Sequence, residues 1–285
     1  MTRMKENQDT SSISFTAHYT GFVWYRFGLS HPAFATRQGC AYFQFLRPFE
    51  VAARKVIGSD IKTTLLQRHH LIDRELERLI ARHPDIQILE LACGLSPRGW
   101  RFHRDYASVS YVEADLTDMA GRKQTLLREL GSLDDRHKVE VCNILIEDSH
   151  DSLESLLKRE FDPTRPVVVI TEGLVNYFRL DEIGGFWSRL ATALQGFPMG
   201  FYLTDLYPQV SRHRFFHWIQ MANKTLKMSS RSHFTMHFEQ PGEAAVFLKN
   251  CGFDTVTVFN PDDAPGDRLP KAHGGSLVWV IRSEV

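Results

Sequence analysis

Three short segments place acidic and small residues where a sheet would present them to a ligand. The first is Ile88-Leu89-Glu90-Leu91-Ala92-Cys93-Gly94-Leu95-Ser96-Pro97-Arg98-Gly99. It reads as a strand, a run of small residues and a helix start, with Pro97 suited to the first helical position. Small residues after the strand let a ligand approach the backbone closely. An ordinary strand-to-helix turn is the competing reading. A dinucleotide cradle requires G-x-G-x-x-G, and this loop supplies only Gly94. The second segment, Tyr111-Val112-Glu113-Ala114-Asp115, ends the next strand 21 residues past Gly94. A carboxylate there can accept hydrogen bonds from both hydroxyls of a ribose, although acids often end strands without such a role. The third, Ile170-Thr171-Glu172-Gly173-Leu174-Val175-Asn176-Tyr177-Phe178, follows the most apolar strand in the chain. Glu172 either faces the ligand crevice or is a helix N-terminal acid. Tyr177 either reaches a reacting centre or is a hydrogen-bonded core tyrosine.

A fourth position is Arg68. Ser59 reads as the N-cap of a helix whose apolar residues recur at Ile61, Leu65, Ile72, Leu76 and Leu79. Arg68 fills the missing step of that stripe. A guanidinium in a core-facing register needs an anion, unless it snorkels to the surface. Asp73 lies about 140° further round the helix and is not its obvious partner.

These residues need elements to position them. Residues 86–92, 109–114, 139–143, 167–171 and 200–205 read as strands. Helical patterns at 97–106, 118–130, 149–159 and 181–194 lie between them. Such alternation implies a mostly parallel sheet with helices on both faces. The run Val167-Val168-Val169-Ile170 fits burial on both faces. Later, residues 211–227 and 243–251 read as helices, and 254–259 and 275–282 as two strands without a helix between them, an antiparallel edge pair. Residues 1–84 read as a helical cap on the domain formed by 85–285.

The chain has 285 residues, with 34 Lys and Arg against 34 Asp and Glu. That balance argues against sequence-independent nucleic-acid binding. No apolar run reaches the roughly 18 residues of a membrane span, so no membrane partner is expected. Cys40, Cys93, Cys142 and Cys251 stand far apart without a C-x-x-C pair, so no metal site is expected and reduced thiols are the better reading. Residues 1–12 lack the apolar core of a signal peptide. A cytoplasmic protein is the expectation.

Taken in order, the segments resemble class I S-adenosylmethionine-dependent methyltransferases of the leucine carboxyl methyltransferase type, the group that includes the tetracenomycin polyketide carboxyl methyltransferase. Arg68-His69-His70-Leu71-Ile72-Asp73 is similar to that family's R-x-x-x-x-D helix, and Glu90–Arg98 to its G-x-G-L-D-T-R loop. Glu113-Ala114-Asp115-Leu116 with Lys123 resembles E-V-D-L and a following lysine. Glu172-Gly173-Leu174 with Tyr177 resembles E-G-L-x-x-Y. The resemblance spans about residues 60–205.

It implies a doubly wound, Rossmann-like α/β fold with seven strands, an antiparallel C-terminal edge hairpin and a helical N-terminal lid. It implies that Arg68 binds the cofactor's methionine carboxylate and that Glu90, Ala92, Cys93 and Gly94 pass beside the cofactor. It places the ribose at Asp115 and Leu116, the adenine at Asn143 and Ile144, and the amino group near Glu172. Ala92, Ser96 and Asn143 depart from the family's glycine, aspartate and aspartate.

The expected reaction is O-methylation of a small organic acceptor, with a carboxylate favoured over a phenol. A carboxylate is already a nucleophile at neutral pH; a phenol would benefit from a base. Tyr177 has the best positional case for the reacting centre. Aromatic clusters at Phe22, Trp24, Tyr25, Phe27, Tyr42, Phe43 and Phe45, and at Tyr202, Tyr207, Phe215, Phe216 and Trp218, either line an acceptor pocket or pack the core. His213, His217, His233 and His237 lie near Arg212, Arg214 and Arg231 as candidate bases or clamps. A nicotinamide-dependent oxidoreductase and a catalytically silent cofactor-binding module are the alternatives. The oligomeric state is not legible.

Overall fold

The computed structural model describes residues 11–57, 60–209, 234–264 and 269–285. Seven strands form one sheet: β1 (Gln87–Leu91), β2 (Ser110–Asp115), β3 (His137–Val141), β4 (Val167–Thr171), β5 (Gly200–Leu206), β6 (Thr255–Phe259) and β7 (Trp279–Glu284). Their order is β3-β2-β1-β4-β5-β7-β6. The first five are parallel, while β7 runs antiparallel between β5 and β6. The two closing strands therefore pair as expected, with β6 at the edge.

Alternate residues of the central strands feed two cores, as the two-residue period of a strand requires. Leu89 and Leu91 of β1 and Val167 and Val169 of β4 meet α6 (Leu153–Glu160), α7 (Leu180–Leu194) and α8 (Pro241–Asn250). Ile88, Val168 and Ile170 face the opposite way, onto α3 (Ile61–Arg82) and α4 (Arg98–Asp105). Burial on both faces explains why Thr171 is the one polar residue of β4, whereas β1 also buries Gln87 and Glu90, which are hydrogen-bonded. Beside β2 and β3, α5 (Thr117–Glu129) packs Ala120 and Leu127 against Phe34 and Val139.

Before α3 come α1 (Ser11–Arg26) and α2 (Arg37–Ile57). Tyr19 and Val23 of α1 pack on Leu65 and Leu66 of α3, with Tyr42, Phe43 and Leu46 of α2 closing the cluster. The far end of α3 belongs to the sheet layer, through Leu71, Ile72, Leu76, Leu79 and Ile80.

Several local expectations change. Asp60 is the N-cap of α3; its carboxylate accepts from the Thr63 amide at 2.7 Å. Ser59 lies outside the described residues. Ile61 is 42% exposed, so the buried stripe starts at Leu65. Pro97 is the N-cap of α4 rather than its first turn. Ser152 caps α6, which starts four residues later than its apolar pattern suggests. The helix expected over 211–227 lies outside the described residues.

The chain runs from β1 outward to β2 and β3, then returns to lay β4 on the other side of β1. Leu91 and Thr171 are register partners at the carboxyl ends of that switch. Open α/β sheets bind ligands in the crevice above such a point.

Candidate functional site

Backbone geometry marks the crevice first. Directly after β1, Ala92 and Gly94 have φ of 52° and 51°, and directly after β4, Gly173 has φ of 72°. A left-handed backbone costs a residue with a Cβ about 1–2 kcal/mol, so Ala92 is strained. At Gly173 a Cβ would stand 2.8 Å from Arg68 Nη2, because the guanidinium lies against the glycine backbone. At Gly94 a Cβ would meet only Ala17 of α1, at 3.5 Å. Helix α1 thus crosses directly over the β1 loop.

Arg68 reaches the crevice from α3. Its Nε donates to Glu172 Oε1 at 3.0 Å, and its Nη1 donates to Asp205 Oδ2 at 3.3 Å and to the Tyr207 hydroxyl at 3.2 Å. Burial alone would lower its pKa, but Tyr207, Asp205 and Glu172 hold it above the usual arginine value. Asp205 is the penultimate residue of β5, at the same carboxyl edge of the sheet as Asp115, and it also accepts from the Gly173 amide at 2.6 Å.

Behind Arg68 stands Arg98, fully buried. Its guanidinium donates to Asp73 at 2.7 Å, Glu90 at 2.6 Å and Glu172 at 2.5 Å, joining α3, β1 and β4. The other oxygen of Glu90 accepts from the Tyr111 hydroxyl at 2.6 Å. Glu90 therefore sits beneath the loop rather than in its mouth. Asp73 accepts from Arg101 as well, at 2.6 Å.

His69 completes the cluster. Desolvation lowers its pKa, so the ring is neutral. Nδ1 lies 2.9 Å from Glu172 Oε2 and Nε2 lies 2.8 Å from Arg101 Nη2. Nδ1 also stands 2.9 Å from Arg98 Nη2, but that group donates to Glu172 Oε2, so a neutral ring keeps its proton on Nδ1, donating to Glu172, and accepts from Arg101 at Nε2. Against desolvation that would raise it, His69 and the Arg98 and Arg68 guanidiniums hold Glu172 well below the usual carboxylate range.

On the other side of the crevice, Asp115 Oδ2 accepts from the Gly94 amide and Oδ1 from the Leu116 amide, both at 2.8 Å. Burial raises its pKa despite these two donors. The loop is pinned from below by Lys123, whose Nζ donates to the Ser96 carbonyl at 2.6 Å and pairs with Glu113. Glu113 also takes the His137 ring at 2.8 Å. Any Cβ at residue 99 would overlap Glu113, which is why Gly99 stands there. The Cys93 thiol is buried and its pKa is raised by that burial.

The remaining expected residues are more dispersed. Tyr177 lies in a short turn, Val175–Tyr177, and its hydroxyl is 3.1 Å from Thr16 Oγ1 of α1. Phe234 packs edge-on to both Tyr177 and Tyr207, with centroids at 5.8 and 5.4 Å. Asn143 lies past the end of β3, and its Oδ1 accepts from the Leu145 amide at 3.0 Å. Ile144 is buried beside it.

Of the aromatic candidates, Trp24 packs at a tilt against His69, with ring centroids 4.8 Å apart, whereas Tyr202 is a core residue bonded to Thr171. Phe22 and Phe43 pack against each other, and Tyr25, Phe27 and Phe45 are exposed. His237 rests on the backbone of Val175 and Phe178. His213, His217, His233, Arg212, Arg214, Arg231, Phe215, Phe216 and Trp218 lie outside the described residues.

Sequence reasoning missed Asp205, His69, Arg98 and Arg101 as members of the cluster. Asp205 carried a visible signal, being an acid at the carboxyl end of an expected strand. Arg98 carried one too, since a buried Glu90 requires a cation.

The chain is similar to known proteins in both sequence and fold. The chain is 34% identical over 116 residues to a "Putative S-adenosyl-L-methionine-dependent methyltransferase" of Mycolicibacterium paratuberculosis, covering 37% of this chain and 36% of that protein. It is 29% identical over 112 residues to the tetracenomycin polyketide synthesis O-methyltransferase TcmP of Streptomyces glaucescens, covering 39% and 37%. The matched segment thus spans little more than a third of these curated relatives. Among solved structures, a "putative methyltransferase" of Thermobifida fusca superposes with a TM-score of 0.64 at 15% identity, covering 94% of this chain and 93% of that one. At that identity the likeness establishes the fold. The family model for leucine carboxyl methyltransferase matches residues 32–190, from the turn before α2 through Arg68, the β1 loop, Asp115 and Glu172 into α7. The ordered segments and the fold that carries them therefore coincide with a single family match over more than half the length, and the chain belongs to the leucine carboxyl methyltransferase family.

Proposed function

We propose that this chain is an S-adenosylmethionine-dependent O-methyltransferase acting on a small organic acceptor, a carboxylate in preference to a phenol. One observation carries the reading: Asp115, the open backbone at Gly94, and Arg68 flanked by Glu172 and Asp205 converge on the β1/β4 switch point. S-adenosylmethionine, when bound, supplies a methyl group on a sulfonium.

The residues present fit that molecule. A methionine moiety is a zwitterion, and Arg68 beside Glu172 and Asp205 offers one cation and two carboxylates. Arg68 would take the carboxylate and the two acids the ammonium. Each oxygen of Asp115 is occupied by one amide donor and retains acceptor capacity for a ribose hydroxyl. Such donors relieve the burial that raises its pKa. Ala92, Cys93 and Gly94 would border the cofactor by their backbone, and Leu116, Asn143 and Ile144 would border the adenine. Glu90 acts at one remove, by holding Arg98.

Tyr177 would position the acceptor beneath α1. In-line displacement mainly demands orientation and exclusion of water, which a lid of α1 and α2 would supply. His69 is committed to Glu172 and Arg101, so it holds the ion cluster together rather than serving as a base. A carboxylate acceptor needs no base. TcmP is named for a polyketide pathway, and a polyketide-like acid is the acceptor class we favour.

Transfer of a labelled methyl group from S-adenosylmethionine to a panel of aromatic acids and matched phenols tests the proposal. Acids should be labelled at a rate nearly flat above pH 6; labelling only of phenols, rising toward their pKa, would overturn the acceptor assignment. Absence of turnover on every member, with cofactor bound, would favour the silent binding module.

A further inference from the structure

Helix α2 carries two apolar faces, and among the described residues only one is covered. The inner face packs Tyr42, Phe43 and Leu46 against α1 and α3. The outer face is a stripe of Ala41, Phe45, Pro48, Phe49 and Ala52, all exposed, at the spacing of one helical side. Phe45 is 70% exposed and Phe49 64%, with ring centroids 6.1 Å apart. An ordinary surface helix would place polar residues there.

The charges nearest the stripe, Arg37 and Lys55, are both cationic and lie about 60° round the helix from its axis, and Arg47 and Arg54 lie further round on the same flank. Arg37, Arg47, Arg54 and Lys55 are exposed, and none forms an ion pair among the described residues. The one carboxylate of the helix, Glu50, is buried and taken by the Tyr19 hydroxyl and by Lys62 at 3.0 Å. This helix is therefore cationic on a chain whose charges balance at 34 and 34.

We propose that the outer face of α2 docks on an anionic lipid surface, its aromatic stripe at the acyl boundary and the flanking Arg37 and Lys55 among the headgroups. Basic amphipathic helices with aromatic apolar faces bind in this way. A second copy of the chain fits less well, because two such helices would bring like charges together. The expectation of no membrane partner rested on spanning segments. No helix among the described residues is long and apolar enough to cross a membrane. A helix lying in the interface needs neither that length nor that hydropathy. The proposal is independent of the methyltransferase reading, since its residues lie on the side of α2 turned away from the crevice.

Co-sedimentation of the full chain with vesicles is the test. With phosphatidylglycerol–phosphatidylcholine vesicles at low salt the protein should pellet, and pure phosphatidylcholine or high salt should weaken this by about tenfold or more. The double variant Phe45→Ser, Phe49→Ser should keep its thermal midpoint, both side chains being exposed, and lose the pelleting. No pelleting with anionic vesicles, equal pelleting with neutral ones, or an unaffected double variant would each overturn the proposal. A dimer that forms without lipid and is lost in the double variant would assign the face to a second copy instead.

Discussion

Arg68 Nε donates to Glu172 Oε1 at 3.0 Å, tying a helix ahead of the sheet to the carboxyl end of β4 across 104 residues. The pair belongs to both the fold and the proposed cofactor site, so Arg68→Met has two separable consequences. Removing one partner of a buried pair leaves uncompensated charge and costs about 3–5 kcal/mol. Loss of a charge-assisted contact to the cofactor carboxylate weakens S-adenosylhomocysteine binding by about 1.5–3 kcal/mol. Urea unfolding measures the first and calorimetry on the folded variant the second. Unchanged affinity in a folded variant would make Arg68 purely structural.

Arg98 carries no expected contact with the cofactor, yet it faces Asp73, Glu90 and Glu172 at once. Arg98→Met strands these carboxylates and should destabilise the protein by about 3–5 kcal/mol or prevent folding. Chemical denaturation decides this. A cost under about 1 kcal/mol would show that the cluster is hydrated.

Asp115 and Glu172 make opposite contributions to pH dependence. Burial raises the Asp115 pKa, so the native state retains its proton to higher pH than the unfolded chain. Stability from this group falls as pH rises from the unfolded value through the folded one. Glu172 is held well below the usual range, so its contribution is present above the unfolded carboxylate pKa and is lost as pH falls toward the folded one. A ribose at Asp115 selects the carboxylate, so cofactor binding near its raised pKa should release a proton. Calorimetry in buffers of different ionisation enthalpy reads that proton, and Asp115→Asn should abolish it.

Ala92 holds φ of 52° where the family pattern has glycine. Ala92→Gly removes about 1–2 kcal/mol of strain and adds about 0.4–1 kcal/mol of unfolded-chain entropy. A net gain of about 0.5–1 kcal/mol is expected in the denaturation free energy. A loss of stability would mean that the Cβ is packed rather than strained.

Much of this was legible because the signals are local. Val167–Ile170 announced a doubly buried strand, and Asp115 and Glu172 announced themselves by ending strands. Arg68 stood out as a charge in an apolar stripe, and the stripe proved buried from Leu65 onward. What escaped is what depends on tertiary encounter. His69 and Arg101 read as unremarkable helical residues until α3 and α4 meet across β1. The role of Arg98 emerges only when Asp73, Glu90 and Glu172, spread over 100 residues, converge on one guanidinium. The N-cap at Asp60 rather than its neighbour was below the resolution of pattern, since both residues are good caps.

On the proposed function, the switch-point crevice is built for S-adenosylmethionine. Titration calorimetry of the wild-type chain with S-adenosylhomocysteine, alongside NAD, tests it most directly. Saturable binding of one S-adenosylhomocysteine per chain and none of NAD is expected. Binding of NAD alone, or of neither by a folded chain, would contradict it.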